Sequence, residues 1–231
     1  MIDIVLASLF LPLSHFVLSS AAVRAALVRR LGEGRFSLLY SLIAIAALAW
    51  LVVAYWRAPT FVIWVAPVWV RAALLPVILA ASLLVVAGLT TPNPVIVQSS
   101  ALFKRPDAVR GVLRITRNSF FWGAGLFSIA HVVAAGHATA LLAFGSVAVL
   151  ALAGAPVLDA KKAASHGAAW ESFAAATSSL PFLAIVQGRQ TLSWREIGLW
   201  RVALGTGVFL AALLLHKRLF GGDPLAALQI M

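Results

Sequence analysis

Five histidines hold most of the chemical choice in this chain, because it has no cysteine and only seven Asp and Glu residues. A neutral imidazole can donate a proton, accept one or ligate a metal. Two of the five, His15 and His131, fall inside long apolar runs. The run around His131 is entered through Arg110, Arg114 and Arg117, and after Arg117 it carries no formal charge until Asp159. A basic doorstep followed by ~20 apolar residues reads as a helix entering a membrane from its positive side. A ring nitrogen at that depth is costly, so an intramembrane histidine is a functional hypothesis by default.

On spacing alone, two readings of the pair stay open. In one, His15 and His131 are the axial ligands of a haem packed between their helices, a common arrangement for imidazole donors. In the other they hydrogen-bond to neighbouring helices. Depth is compatible with the first: His131 lies roughly 21 Å along its helix from Arg117, and His15 roughly 14 Å from Arg24. Around His131, the positions Ala124, Phe127, Ser128 and Ala135 share a helix face that is small except for Phe127. That face leaves room for a flat group. His137 and His216 are expected at helix ends, as interfacial residues or in a proton-relay or alternate-ligand role. His166 reads as a solvated side chain. Arg114, Arg117 and Arg189 stand at helix margins, where they set topology and hold lipid headgroups. With a haem present they could fork onto its propionates; Asp159 and Glu33 are the competing partners. Glu171 and Glu196 read as interfacial.

The elements that must position these residues follow from composition. Of 231 residues, 62% are hydrophobic and 11% charged, and the mean hydropathy is +1.00. A soluble domain is roughly one quarter charged, so the chain is a polytopic membrane protein. The net charge of +11 reflects basic loops between apolar runs and not a nucleic-acid footprint. The absence of cysteine excludes disulfides, thiolate chemistry, iron–sulfur clusters and Cys-ligated zinc.

The expected architecture is an all-α transmembrane bundle of about six spans in a single domain, 1–231. Spans are predicted near 3–24, 36–56, 69–89, 118–135, 138–158 and 196–216. The first reads as a retained helix, kinked by Pro12 just before His15. Residues 168–189 are interrupted by Thr177, Ser178, Ser179 and Pro181. They are expected to be re-entrant or interfacial, because unsatisfied backbone is expensive in lipid. Basic loops 24–35, 104–117 and 161–166 fall on the cytoplasmic side, which puts the N-terminus and the turn near His137 outside. The C-terminus, with Lys217 and Arg218, is then outside too. No G-x-S-x-G, P-loop, H-E-x-x-H or dinucleotide fingerprint is present.

The sequence resembles the NnrU family of integral membrane proteins over about residues 10–220. The resemblance is carried by HFVLSS with Arg24, RRLGEGRFSLLYSL at 29–42, RGVLRITRNSFFWGAGLFSIAHVVAAGH at 110–137 and LLAFGS at 141–146. TSSLPFLAIVQGR at 177–189 and HKRLFGG at 216–222 add a weaker third block. Relatives include the zeta-carotene isomerase of plants and cyanobacteria, a haem b protein whose two axial histidines match His15 and His131. The resemblance implies haem b as cofactor and a bacterial inner-membrane location. It also implies a link to denitrification and nitric oxide metabolism, with a nitrogen-oxide or a hydrophobic polyene as small partner. Two alternatives accompany it: a haem-dependent cis–trans isomerase of carotenoid-like polyenes, and a haem-free assembly or regulatory factor. One departure stands out. The family's Arg-His-Pro is Arg117-Asn118-Ser119 here, which puts isomerase chemistry in doubt.

Overall fold

The computed structural model describes residues 1–95, 103, 105 and 107–224. Lys104, part of the predicted basic loop, lies outside them. The described residues form helices and no β-strand, apart from an isolated bridge between Val62 and His137. In chain order the helices are α1 (Ile2–Ser19), α2 (Ala21–Leu31), α3 (Glu33–Arg57), α4 (Val68–Thr90), α5 (Ser119–Ala135), α6 (Ala138–His166), α7 (Ala168–Ala176), α8 (Leu183–Val186), α9 (Trp194–Ile197) and α10 (Leu199–Phe220). A short 3₁₀ turn, Gly111–Arg114, precedes α5.

Among the described residues, α1, α3, α4, α6 and α10 are long and apolar enough to cross a membrane. Helix α5, predicted as a sixth span, has 17 residues, the lower edge of the ~17–25 that a span needs. Many of their apolar residues are exposed, among them Leu38, Ile45, Leu48, Val149, Leu210 and Leu214. In water such a surface would aggregate; in lipid it is the expected solvent face.

Three boundaries differ from the sequence reading. The first span stops at Ser19 and not near residue 24, because Ser20 turns extended while the Ser19 and Ser20 hydroxyls donate back to the Phe16 and Val17 carbonyls. Such back-bonding competes with helix continuation. Pro12 lies within the uninterrupted α1. Much of the predicted 24–35 loop is therefore helical: α2 carries Arg24, Arg29 and Arg30, and Arg24 pairs with Glu33. Helix α6 continues past residue 158 to His166 because its polar end has partners. The last span is divided at Gly198, so Glu196 belongs to α9 and not to α10.

The chain divides into two compact units, Met1–Ala66 with His131–Leu150, and Pro67–Ala130 with the residues from Ala151 onward. In the first, Ile4, Ala7 and Leu11 of α1 pack with Ala47, Leu51 and Ala54 of α3 and with Ala143 of α6. Small residues recur because helices in lipid gain little from the hydrophobic effect and rely on close contact. Trp50 Nε1 donates to Asp3 Oδ1 at 2.8 Å and ties α3 to the start of α1. The 58–67 link is anchored by backbone bonds: Ile63 and Trp64 donate to the Gly136 carbonyl, and Ala138 donates to that of Phe61. Gly136 turns with φ +64°, and a Cβ there would stand 2.1 Å from the Trp64 oxygen.

In the second unit, α5 and α10 both press on α4. A Cβ on Gly123 would meet the Ala81 oxygen at 2.7 Å, and one on Gly205 would meet Leu83 Cδ2 at 2.9 Å. Ser82 Oγ donates to the Gly205 carbonyl, and Arg201 donates to Thr90 Oγ1 and to the Thr90 carbonyl.

Candidate functional site

In the first unit, His15 sits four residues from the end of α1 and is half-buried. Its Nδ1 lies 2.8 Å from the Leu11 carbonyl oxygen. A carbonyl only accepts, so in the neutral ring the proton sits on Nδ1 and the lone pair on Nε2. The ring meets Tyr40 edge-on, with centroids 5.6 Å apart, and Tyr40 in turn packs on Phe36. His131, half-buried near the end of α5, stacks on Phe144 with centroids 4.8 Å apart. Phe144 meets Tyr55 edge-on, and Tyr55 lies 6.2 Å from the His137 ring.

His137 is arranged in the opposite sense to His15. The Ala140 N–H donates to its Nδ1 at 3.1 Å, so Nδ1 already uses its lone pair and the ring proton stands on Nε2. Burial lowers its pKa below the ordinary histidine value, which favours the neutral ring. His216, at the end of α10 in the second unit, places Nδ1 2.9 Å from the Gly222 carbonyl and stacks on Phe220. His166 approaches Ser165 Oγ, and its ring packs on Phe103.

Of the two ligands that the family resemblance implies for a haem, His15 has the donor geometry such a group would need. Ligation through Nε2, with Nδ1–H held by a backbone carbonyl, is the usual arrangement of a metal-bound histidine, and His15 already has it. Each predicted ligand also follows a buried hydroxyl on its own helix: Ser8 two turns before His15, and Ser128 one turn before His131. Both hydroxyls lack a hydrogen-bond partner. Among the described residues no three His, Asp or Glu side chains gather as a metal-ion cluster, so the histidines stand as separate donors.

The second unit holds Arg114, Arg117 and Arg189, and the first two are matched by carboxylates. Arg117 donates through Nε and Nη2 to Asp159 Oδ2 at 2.9 and 2.7 Å, with the two side chains 14% and 13% exposed. The guanidinium also lies over the Trp170 ring. Asn118 Nδ2 donates to Asp159 Oδ1 and to Ser179 Oγ. Arg114 forks onto both Glu196 oxygens, at 2.7 and 2.8 Å, and reaches Gln190. The pair lowers the Glu196 pKa, mainly through the Arg114 hydrogen bond. Arg189 donates to the carbonyls of Ala175 and Thr177 at the C-terminal end of α7. Of the candidate partners, Asp159 thus holds Arg117, and Glu196 is more than an interfacial carboxylate.

The interrupted segment 177–182 is stitched to 115–122. Arg117 N–H donates to the Ser178 carbonyl, and Phe182 N–H to that of Ile115. The Ser179 carbonyl receives both Thr116 Oγ1 and Trp122 Nε1. This irregular stretch joins α7 to α8, and no continuous helix spans 168–189. Beside it lies a cavity of about 300 Å³, walled by Phe121 and Trp122 of α5, by Leu152, Ala155 and Pro156 of α6, and by Ser179 and Leu180. Sequence reasoning missed this cavity. Pro156 in α6 and the Ser-Ser-Leu-Pro break were its only signals, and neither shows what stands opposite it.

No curated protein and no solved structure matches the chain significantly. The family model described as NnrU protein matches residues 4–224, nearly the full length, and the chain belongs to that family.

Proposed function

We propose that this NnrU-type membrane protein binds haem b through His15 and His131 and serves nitrogen-oxide metabolism in the bacterial inner membrane. The observation that carries the reading is the His15 ring, whose Nδ1–H is held by the Leu11 carbonyl while Nε2 keeps its lone pair. That bond fixes ring orientation and raises ligand basicity. The presence of His131 in the same compact unit supports it as the second donor. Held by His15 and His131, haem b would supply a one-electron couple. Tyr40 and Phe144 restrict rotation of the two rings. Asn118 stands where the family motif has histidine, and its amide hydrogen-bonds Asp159 and Ser179. An amide does not exchange its proton as an acid or base, which favours binding over polyene isomerisation.

The test is the visible spectrum of protein purified after expression with ample haem. The ferric form is expected to be six-coordinate and low-spin, with sharp bands on reduction. His15→Ala and His131→Ala should each lose the low-spin signature or the haem. His137→Ala should keep it, because that ring presents a proton and not a lone pair on Nε2. A colourless wild-type protein would overturn the proposal and leave the haem-free regulatory reading.

A further inference from the structure

The cavity of the second unit carries no charged lining residue, so an occupant must itself be uncharged. At about 300 Å³ it stands at the lower end of the ~300–1,000 Å³ typical of small-molecule sites. Its walls are firm. Trp122 is fixed by its bond to the Ser179 carbonyl, at 2.7 Å, and the same carbonyl is held by Thr116 at 2.6 Å. Irregular backbone among membrane helices occurs where it is buried in protein or lines a cavity, and broken helices frame ligand sites in transporters. Thr177 and Ser178 are buried, while Ser179 and Leu180 line the cavity. Phe182, just beyond, holds φ +64°, a backbone region costly for a non-glycine residue.

Two polar groups of the lining have capacity left. Ser179 Oγ accepts from Asn118, so its own hydroxyl proton remains to be given. Pro156 has no N–H, so the Leu152 carbonyl lacks its ordinary helical donor, and both residues line the cavity. One donor and one acceptor beside a single aromatic wall match a hydroxyl group on a ring. We propose that this cavity binds an uncharged hydroxylated aromatic molecule of the alkylphenol or quinol type. Its ring packs against Phe121 and Trp122, and its hydroxyl is served by the Ser179 hydroxyl and the Leu152 carbonyl. The site is independent of haem ligation.

The test uses the full-length protein in detergent or nanodiscs, a diazirine-bearing alkylphenol as probe, and mass-spectrometric mapping of the labelled residues. Labelling is expected at 121–122, 152–156 or 179–180. The parent alkylphenol should compete about tenfold better than the alkylbenzene of the same size, the contribution of one hydrogen bond to a buried partner. Ser179→Ala should erase most of that preference, and Ala155→Phe should suppress labelling by filling the space. If Ala155→Phe does not fold, the competition on wild-type protein carries the test alone. Equal competition by the alkylbenzene would overturn the proposal, as would labelling confined to lipid-facing positions of α3 and α4. Labelling of the cavity residues by a diazirine-tailed phospholipid, uncompeted by alkylphenol, would also overturn it, since the occupant would then be an acyl chain.

Discussion

The surroundings of His15 in the first unit and of Arg117 in the second treat their polar groups in opposite ways. In the first, His15 gives one nitrogen to its own helix and keeps the lone pair of the other. In the second, Arg117, Asp159, Thr116 and the Ser179 carbonyl are bound to one another around the irregular segment. A group whose hydrogen-bonding capacity is already met holds the fold. A group with capacity left over can hold something else. The family motif around Arg117 would by charge alone be read as a binding site, yet its guanidinium is matched by Asp159 and Trp170. The contrast separates scaffold from site more sharply than conspicuous charge does.

The largest expected effect lies on the scaffold side. Asp159→Ala should leave the Arg117 guanidinium buried and unpaired, at about 3–5 kcal/mol. Arg117→Ala should be similarly costly. The double replacement Arg117→Met with Asp159→Leu should recover much of the loss, because removing both charges also removes the desolvation cost. Thermal unfolding in detergent reads all four proteins. A near-native melting temperature for Asp159→Ala would show that the pair is not structural and would break the comparison.

Next comes the turn that precedes α6. Gly136→Ala forces a side chain into φ +64° and sets a Cβ 2.1 Å from the Trp64 oxygen. The cost should be roughly 2–3 kcal/mol. It should appear as faster proteolysis of the 58–67 link, whose backbone donors bind the Gly136 carbonyl. In haem-free protein, His15→Ala should then cost only about 0.6–2 kcal/mol, the range of a polar contact between membrane helices. A loss as large as that of Asp159→Ala would place His15 with the scaffold.

Much of this was legible in the sequence, for identifiable reasons. Helices α3 and α4 fall close to their predicted limits because the charge-free run of α3 ends at Arg57 and the apolar run of α4 meets Thr90, Thr91 and Pro92. The break within 168–189 follows from polar residues and Pro181. What was not legible depends on partners distant in the chain. Helix α6 runs through Asp159 because Arg117, 42 positions earlier, is there to receive the charge. The break at Ser20 rests on hydroxyls choosing backbone carbonyls of the preceding turn, and serines elsewhere in these helices do so without ending them. The tautomer of His15 could not be read from spacing, since the same residue with its ring turned would offer Nδ1 instead. Glu196 reads as interfacial from its place near the end of an apolar run, although Arg114, 82 positions away, is its partner.

That last pair gives the smallest expected effect and the clearest sign. Arg114 and Glu196 are 24% and 33% exposed, so solvent screens much of their attraction. Glu196→Gln should cost only about 0.5–1 kcal/mol. In the folded protein, the Arg114 fork and the Gly111 N–H hold the carboxyl below its ordinary value of 4.5. The unfolded chain therefore takes up this proton first as pH falls. The stabilisation is complete above the ordinary value and is lost as pH drops through the lowered folded value. The melting-temperature gap between wild type and Glu196→Gln should be constant from roughly pH 6 to 8 and close below roughly pH 4. High salt should narrow it at every pH. A gap that widens on acidification would mean the carboxyl is protonated more readily in the folded state, and the Arg114 fork would then not be what holds α9 against the 3₁₀ turn.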